Sequence, residues 1–296
     1  MITPELIGLI FLLPIIGIIS YISVNEELSI NPLLTWSVFL LSIAFIFIAA
    51  EINGAIDNAI SIDKEYLDTY VTVFLCALNE EIYKLLTLIA FLHIFRSKVN
   101  LKRALFLGII AGLGFAIEEN YHYATVIVPY YFLAQFPDYA DYAYTWSLSN
   151  SIVRLLLCAP LHLMTTSITA LFAYRAFVQN RGTINIVSGT CIATAIHWHY
   201  NFAQSFPLSE ITGPSMVVLG FFILNVIYKN FQNDETTIRK SSTFYGTVDS
   251  KSTISEDILG SFKIITKADR IKSKYRYEDK TYIDRKDDFK IIKKKK

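Results

Sequence analysis

Four short stretches of the chain combine residue types and spacings that can do chemistry. They are NEEIYKLL, with Glu80, Glu81 and Lys84; GFAIEENYHYA, with Glu118, Glu119 and Asn120; RLLLCAPLHL, with Arg154 and His162; and HWHYNF, with His197 and Asn201. A glutamate can take a proton from water, a histidine can position or polarise, and a side-chain amide can donate to an oxyanion. Acyl transfer to water uses that inventory. A serine or cysteine nucleophile does not fit, because the sequence has no GxSxG and no cysteine in a motif with histidine.

Spacing narrows the arrangement. On a helix Lys84 reaches back to either Glu80 or Glu81, holding one carboxylate charged and leaving the other to exchange a proton. His197 and Asn201 stand at i and i+4 on one face, with His199 nearly opposite. Arg154 and His162, eight residues apart, share a similar face. Glu118 points about 100° away from Glu119 and is the secondary candidate to line a cavity. His93, His122 and His199 are expected to pack or sit at an interface.

The elements that must position these residues are apolar. The chain has 296 residues, 53% of them hydrophobic, a mean hydropathy of +0.40 and a net charge of +1. A span needs about 20 apolar residues, and about seven candidates appear. They cover residues 5–24, 32–53, 70–95, 104–127, 146–176, 183–206 and 214–229. The expected fold is therefore an all-α, polytopic transmembrane helix bundle over residues 1–229. A polar basic tail follows over 230–296, with 17 Lys or Arg against 11 Asp or Glu, either disordered or a small strand-rich module. The first apolar run lacks a basic leader and a cleavage site and reads as a retained span. Gly108 and Gly112 form a small face for close helix approach. Pro160 is expected to kink the fifth span and free a carbonyl. Cys76, Cys158 and Cys191 lie in apolar runs without ligand spacing and read as small core residues.

A charge at the bilayer centre costs about 2.5 to 3.5 kcal/mol on insertion scales, so the clustered acids and bases call for partners, water or a function. Basic residues in RSKVNLKR and YRAFVQNRG, against acidic 54–69 and 128–145, put the N-terminus outside and the tail in the cytoplasm. NEELSIN fits least well, since it falls on the cytoplasmic side without a basic residue. Counted from the outer ends, Glu80, Glu119 and His197 lie about 12 to 16 Å deep, with His162 deeper.

In this order, EExxK at Glu80, FxxxEN at Glu119, Arg then Pro-x-His at His162, and HxxxN at His197, residues 65–206 resemble the PrsW family of intramembrane proteases. That family is related to CAAX prenyl endopeptidases and the bacterial ABI group. The resemblance implies cleavage of a membrane-anchored protein, as in site-one processing of an anti-sigma factor, at a site opening toward the outer leaflet of the cell membrane. It implies Glu80 or Glu81 as the base with Lys84 as partner, His197 and Asn201 on the substrate carbonyl, and His162 completing the cluster, with Asn120 and Arg154 in support. Metal use is open: Glu119, His162 and His197 would supply a zinc-like ligand set, or a glutamate acts without metal. The partners implied are that substrate and the lipid bilayer, with no nucleic acid. Two alternatives stand beside the protease. One is a non-catalytic binding or immunity protein of the same group; the other is a proton-coupled transporter, which also places carboxylates near mid-membrane but normally shows inverted repeats.

Overall fold

A computed structural model of the chain describes residues 3–60, 66–204, 209–251, 262–264 and 291–293. Helices begin where the sequence supplies caps. Thr3 accepts from the Leu6 amide at the start of α1 (Pro4–Val24), with proline in the first turn. Asn31 accepts from Leu33 at the start of α2 (Pro32–Ile60), and Asn100 accepts from Arg103 at the start of α4 (Leu101–His122). Between them runs α3 (Tyr66–Ile94). A π-helical turn, Tyr123–Ile127, carries α4 into α5 (Val128–Gln135). A 3-10 turn, Pro137–Tyr142, leads to α6 (Ala143–Phe177), and α7 (Ile184–Ala203) and α8 (Ser209–Lys251) follow.

Helix ends depart from the apolar runs. α2 continues to Ile60 and α3 begins at Tyr66, so most of the acidic stretch expected as a loop is helical. α8 passes residue 229 and reaches Lys251. Apolarity marks how much of a helix can face lipid, whereas the helix itself ends only where its hydrogen bonds do. α6 also continues through Pro160 as one helix.

The chain forms two compact units, residues 1–178 with 182–227, and residues 179–181 with 228–296. In the second, Arg181 meets Asp234 at 3.0 Å and Gln179 meets Glu235 at 2.9 Å. Its strands β1 (Phe262–Ile264) and β2 (Ile291–Lys293) pair antiparallel. The rest of the polar tail, including Lys294, Lys295 and Lys296, lies outside the described residues.

Among the described residues three helices are long and apolar enough by composition to cross a membrane: α2, α6 and the Ile211–Thr237 part of α8. α3 and α7 carry the polar clusters that dilute their hydropathy, so the expectation of about seven spans rests on helix length and apolar runs. In the first unit α6 is central. Its apolar window is 67% buried, against 39% for α2, and Leu161 through Leu171 is buried but for Leu163. The outward faces of α1 and α2 carry exposed Leu13, Leu33, Leu40 and Phe47, a band suited to acyl chains rather than water.

α4 lies against α6 through glycines. A Cβ on Gly108 would fall 2.6 Å from the Ser167 Cα, and one on Gly112 would fall 2.6 Å from the His162 carbonyl oxygen. The sequence's small face thus brings two backbones together where the site begins. At the far end of the bundle, Lys102 pairs with Glu27 at 2.8 Å and Arg103 donates to the Glu26 carbonyl. The hydrogen bond from Lys102 lowers the Glu27 carboxyl below its ordinary value. The acidic first loop and the basic RSKVNLKR loop therefore share one end, which accounts for a loop that lacks its own basic residue.

Gly112→Ala is expected to destabilise the protein in detergent by about 1 to 3 kcal/mol through overpacking. Gly17→Ala, where nothing lies within 4 Å of an added Cβ, should leave the thermal midpoint unchanged or raise it slightly.

Candidate active site

α3 delivers the most deeply buried charges. Lys84 Nζ lies 2.7 Å from Glu81 Oε1, and both side chains are wholly inaccessible. The choice left open by spacing is resolved in favour of Glu81. The same Oε1 meets His197 Nδ1, from α7, at 2.9 Å. Phe115 of α4 covers the ammonium with its ring centroid at 5.3 Å. A buried pair of this kind is weak evidence of stability, because desolvation offsets attraction; its value is in fixing geometry.

That geometry sets the imidazole. With Nδ1 directed at Glu81, His197 turns Nε2 toward Glu80 Oε2, 3.7 Å away. A carboxylate behind a histidine selects its tautomer and raises its basicity as a ligand. His162 of α6 packs edge-on against it, ring centroids 5.1 Å apart. Glu80 Oε2 and both His162 ring nitrogens are buried without a hydrogen-bond partner among the described residues. Ligand atoms of Glu80, His162 and His197 all lie within 4.8 Å of one another. Two imidazoles and a carboxylate, with orphaned lone pairs converging, fit a catalytic zinc-type centre with a position left for water.

Glu119, on α4, is held differently. Its Oε1 pairs with Arg154 of α6 at 2.8 Å, and its Oε2 lies 2.6 Å from His162 Nε2, off the line of a hydrogen bond. Arg154 donates Nε to Asn120 Oδ1 at 3.1 Å and stacks on Tyr123, its guanidinium carbon 3.6 Å from the ring centroid. Tyr123 opens the π-helical turn, so the local widening of α4 brings that ring beside Arg154. Such turns recur at functional sites.

A cavity of about 1260 Å³ reaches this cluster. Exposed Tyr131, Tyr139 and Trp146 line it at one end, and buried Glu80 at the other, with Glu119, Arg154 and Asn201 also on its wall. Its residues come from the late turns of α2, the first half of α3, the end of α4 with the π-helical turn, α5 and the 3-10 turn, the early turns of α6 and the late turns of α7, away from the end that carries Lys102 and Arg103.

The structure thus brings together Glu80, Glu81, Lys84, Glu119, Asn120, Arg154, His162 and His197. Asn201 lines the cavity one helical turn past His197, and Glu118 is half-buried beside Glu119. Two expectations shift. His162 is level with the others rather than deeper: α6 has 35 residues, about 52 Å at 1.5 Å per residue, so counting from its start overshoots. The three-donor group around His197 contains Glu80, while Glu119 belongs to a second group with Cys158 and His162, because Arg154 draws its carboxylate aside. Sequence reasoning missed Asn53 and Asn79, which border Glu80, and gave Cys158 only a packing role although its Sγ lies 3.8 Å from Glu119. For Asn79, an asparagine inside an apolar run was the available signal. His199 is exposed with Nδ1 on the Ala195 carbonyl, His122 is exposed, and His93 packs edge-on with Phe177.

The PrsW family of intramembrane metalloproteases matches residues 31–228, more than half of the chain. The chain belongs to this family. No curated protein and no solved structure matches it. PrsW membership makes it an integral membrane protein of a protease family, and the match extends beyond the four motifs to take in α2 and the first part of α8.

Lys84→Met should cost about 3 to 5 kcal/mol in an unfolding titration, since it removes the cation that pairs with the buried Glu81 carboxylate and leaves only His197 against it. Adding Glu81→Gln to Lys84→Met should recover most of that stability while leaving the protease inactive, because His197 loses its orienting carboxylate.

Proposed function

We propose that this PrsW protein hydrolyses a peptide bond of a single-span, membrane-anchored protein at the Glu80, His162 and His197 cluster. The observation that carries this reading is the convergence of those three donors, with Glu80 Oε2 and the His162 ring nitrogens buried and lacking a hydrogen-bond partner among the described residues, beside a cavity that Glu80 lines and that exposed aromatic residues border. Glu80, His162 and His197 would hold a divalent cation, which when bound supplies Lewis acidity. Glu81 and Lys84 stand behind His197 and fix its ring.

Glu119 is the carboxylate left to move protons. Arg154 holds its Oε1 at 2.8 Å, and Oε2 takes a proton from the attacking water as the water oxygen bonds to the carbonyl carbon. The same atom then delivers that proton to the amide nitrogen as the C–N bond breaks and the amine leaves. Asn201, on the cavity wall, donates its amide N–H to the oxyanion that forms between those steps. The aromatic rim excludes bulk water and receives the substrate chain. This departs from a plain glutamic mechanism at Glu80 or Glu81: Glu81 Oε1 is shared by Lys84 and His197, and Glu80 Oε2 faces His197 Nε2.

Basic residues gather at the end of the bundle away from the cavity mouth, and the positive-inside rule makes that end cytoplasmic. The mouth then faces the outer leaflet of the cell membrane, with the N-terminus outside and the polar tail inside. The family match favours the protease over the binding and transport readings.

The test is the full chain reconstituted in liposomes with a panel of single-span substrates. Glu80→Gln, His162→Ala and His197→Ala should each abolish cleavage and lower the bound metal. Glu119→Gln should retain the metal and lose about 10²- to 10⁴-fold in kcat. Cleavage that survives both Glu80→Gln and His197→Ala overturns the reading.

A further inference from the structure

Glu80 is fixed from a helix that carries none of the four motifs. Asn53, on the last turns of α2, donates Nδ2 to Glu80 Oε1 at 3.1 Å. Its Oδ1 accepts from Asn79 Nδ2 at 2.8 Å, and the same Asn79 nitrogen donates to the Ala49 carbonyl at 3.0 Å. An amide nitrogen has two hydrogens, so both donors of Asn79 are spent on α2. The direction of the chain of bonds follows. Turning the Asn53 amide over would set its oxygen against the Glu80 carboxylate and its NH₂ against the NH₂ of Asn79.

The two carboxylate oxygens of Glu80 are consequently unlike. Oε1 is held by Asn53 and Oε2 is left unpartnered, 3.7 Å from His197 Nε2. Asn53 also borders the cavity, which sets it apart from an amide that merely joins two helices in a dry interface. We propose that Asn53, locked by Asn79, is a positioning residue that aims Glu80 Oε2 at the two imidazoles and so sets the affinity of the site for a divalent cation. The proposal rests on the reading of Glu80 as a ligand. It makes α2 a working part of the site and gives the asparagine before the paired glutamates a role of its own.

The experiment uses the full chain in nanodiscs, stripped of metal and titrated with Zn²⁺ against a competing chelator, with the metal-free thermal midpoint measured alongside. Asn53→Ala should weaken Zn²⁺ binding by about 10- to 100-fold and lower kcat at unchanged KM, with the metal-free midpoint unmoved. Asn79→Ala should act in the same direction with a smaller effect. The double variant should match Asn53→Ala alone, because Asn79 works through Asn53. Wild-type Zn²⁺ affinity in Asn53→Ala, losses that add in the double variant, or a fall in affinity that only follows a fall in the metal-free midpoint would each overturn the proposal. Glu80→Gln separates the two levels. If it weakens Zn²⁺ binding while Asn53→Ala does not, the positioning role alone fails; if it binds Zn²⁺ like wild type, the ligand reading fails and takes the positioning role with it.

Discussion

Charge cannot be left unpaired at membrane depth, and the centre of this protein is an answer to that constraint. Glu81 sits between Lys84 and His197, and Glu119 sits between Arg154 and His162. Each carboxylate joins helices that are distant in sequence: α3 to α7 in one case, α4 to α6 in the other. The pairs add little net stability, since desolvation consumes most of the attraction, but they fix which side chains face one another. Glu80 Oε2 and His162 Nδ1 are then left buried without a hydrogen-bond partner among the described residues.

Backbone packing makes this possible. The 2.8 Å pair of Arg154 and Glu119 across helices needs axes held in register, and the glycine face of α4 lets α6 approach until His162 lies against Gly112. Pro160, two residues earlier, removes one amide donor without ending the helix. The widened turn after Asn120 then turns Tyr123 onto Arg154. One end of the bundle is closed by loop charges that neutralise each other; the other is open, aromatic and leads inward to the carboxylates.

Much of this was legible in the sequence because membrane burial makes polar residues conspicuous. EExxK, FxxxEN, Pro-x-His and HxxxN each break an apolar run, and the helices carry them to one place. Spacing could not decide between Glu80 and Glu81 as the partner of Lys84, because both lie within reach on a helix; packing against α7 decides it. Nor could it assign Glu119 and Glu80 between the two donor groups, since that depends on where the Arg154 side chain ends. Asn53 was hidden for another reason: it stands at the end of an apolar run, where an asparagine reads as a helix terminus, and only the continuation of α2 to Ile60 puts it inside the bundle. Depth counting failed at His162 because α6, with 35 residues, is longer than the roughly 20 that a span needs.

The account turns on which side chains face the metal. X-ray absorption at the metal edge of the purified, active full-length protein addresses this directly, because sulfur scatters distinguishably from nitrogen and oxygen. A centre built from Glu80, His162 and His197 predicts a shell of nitrogen and oxygen with two imidazoles and no sulfur. A sulfur ligand would place the ion with Glu119, Cys158 and His162 instead and contradict the assignment.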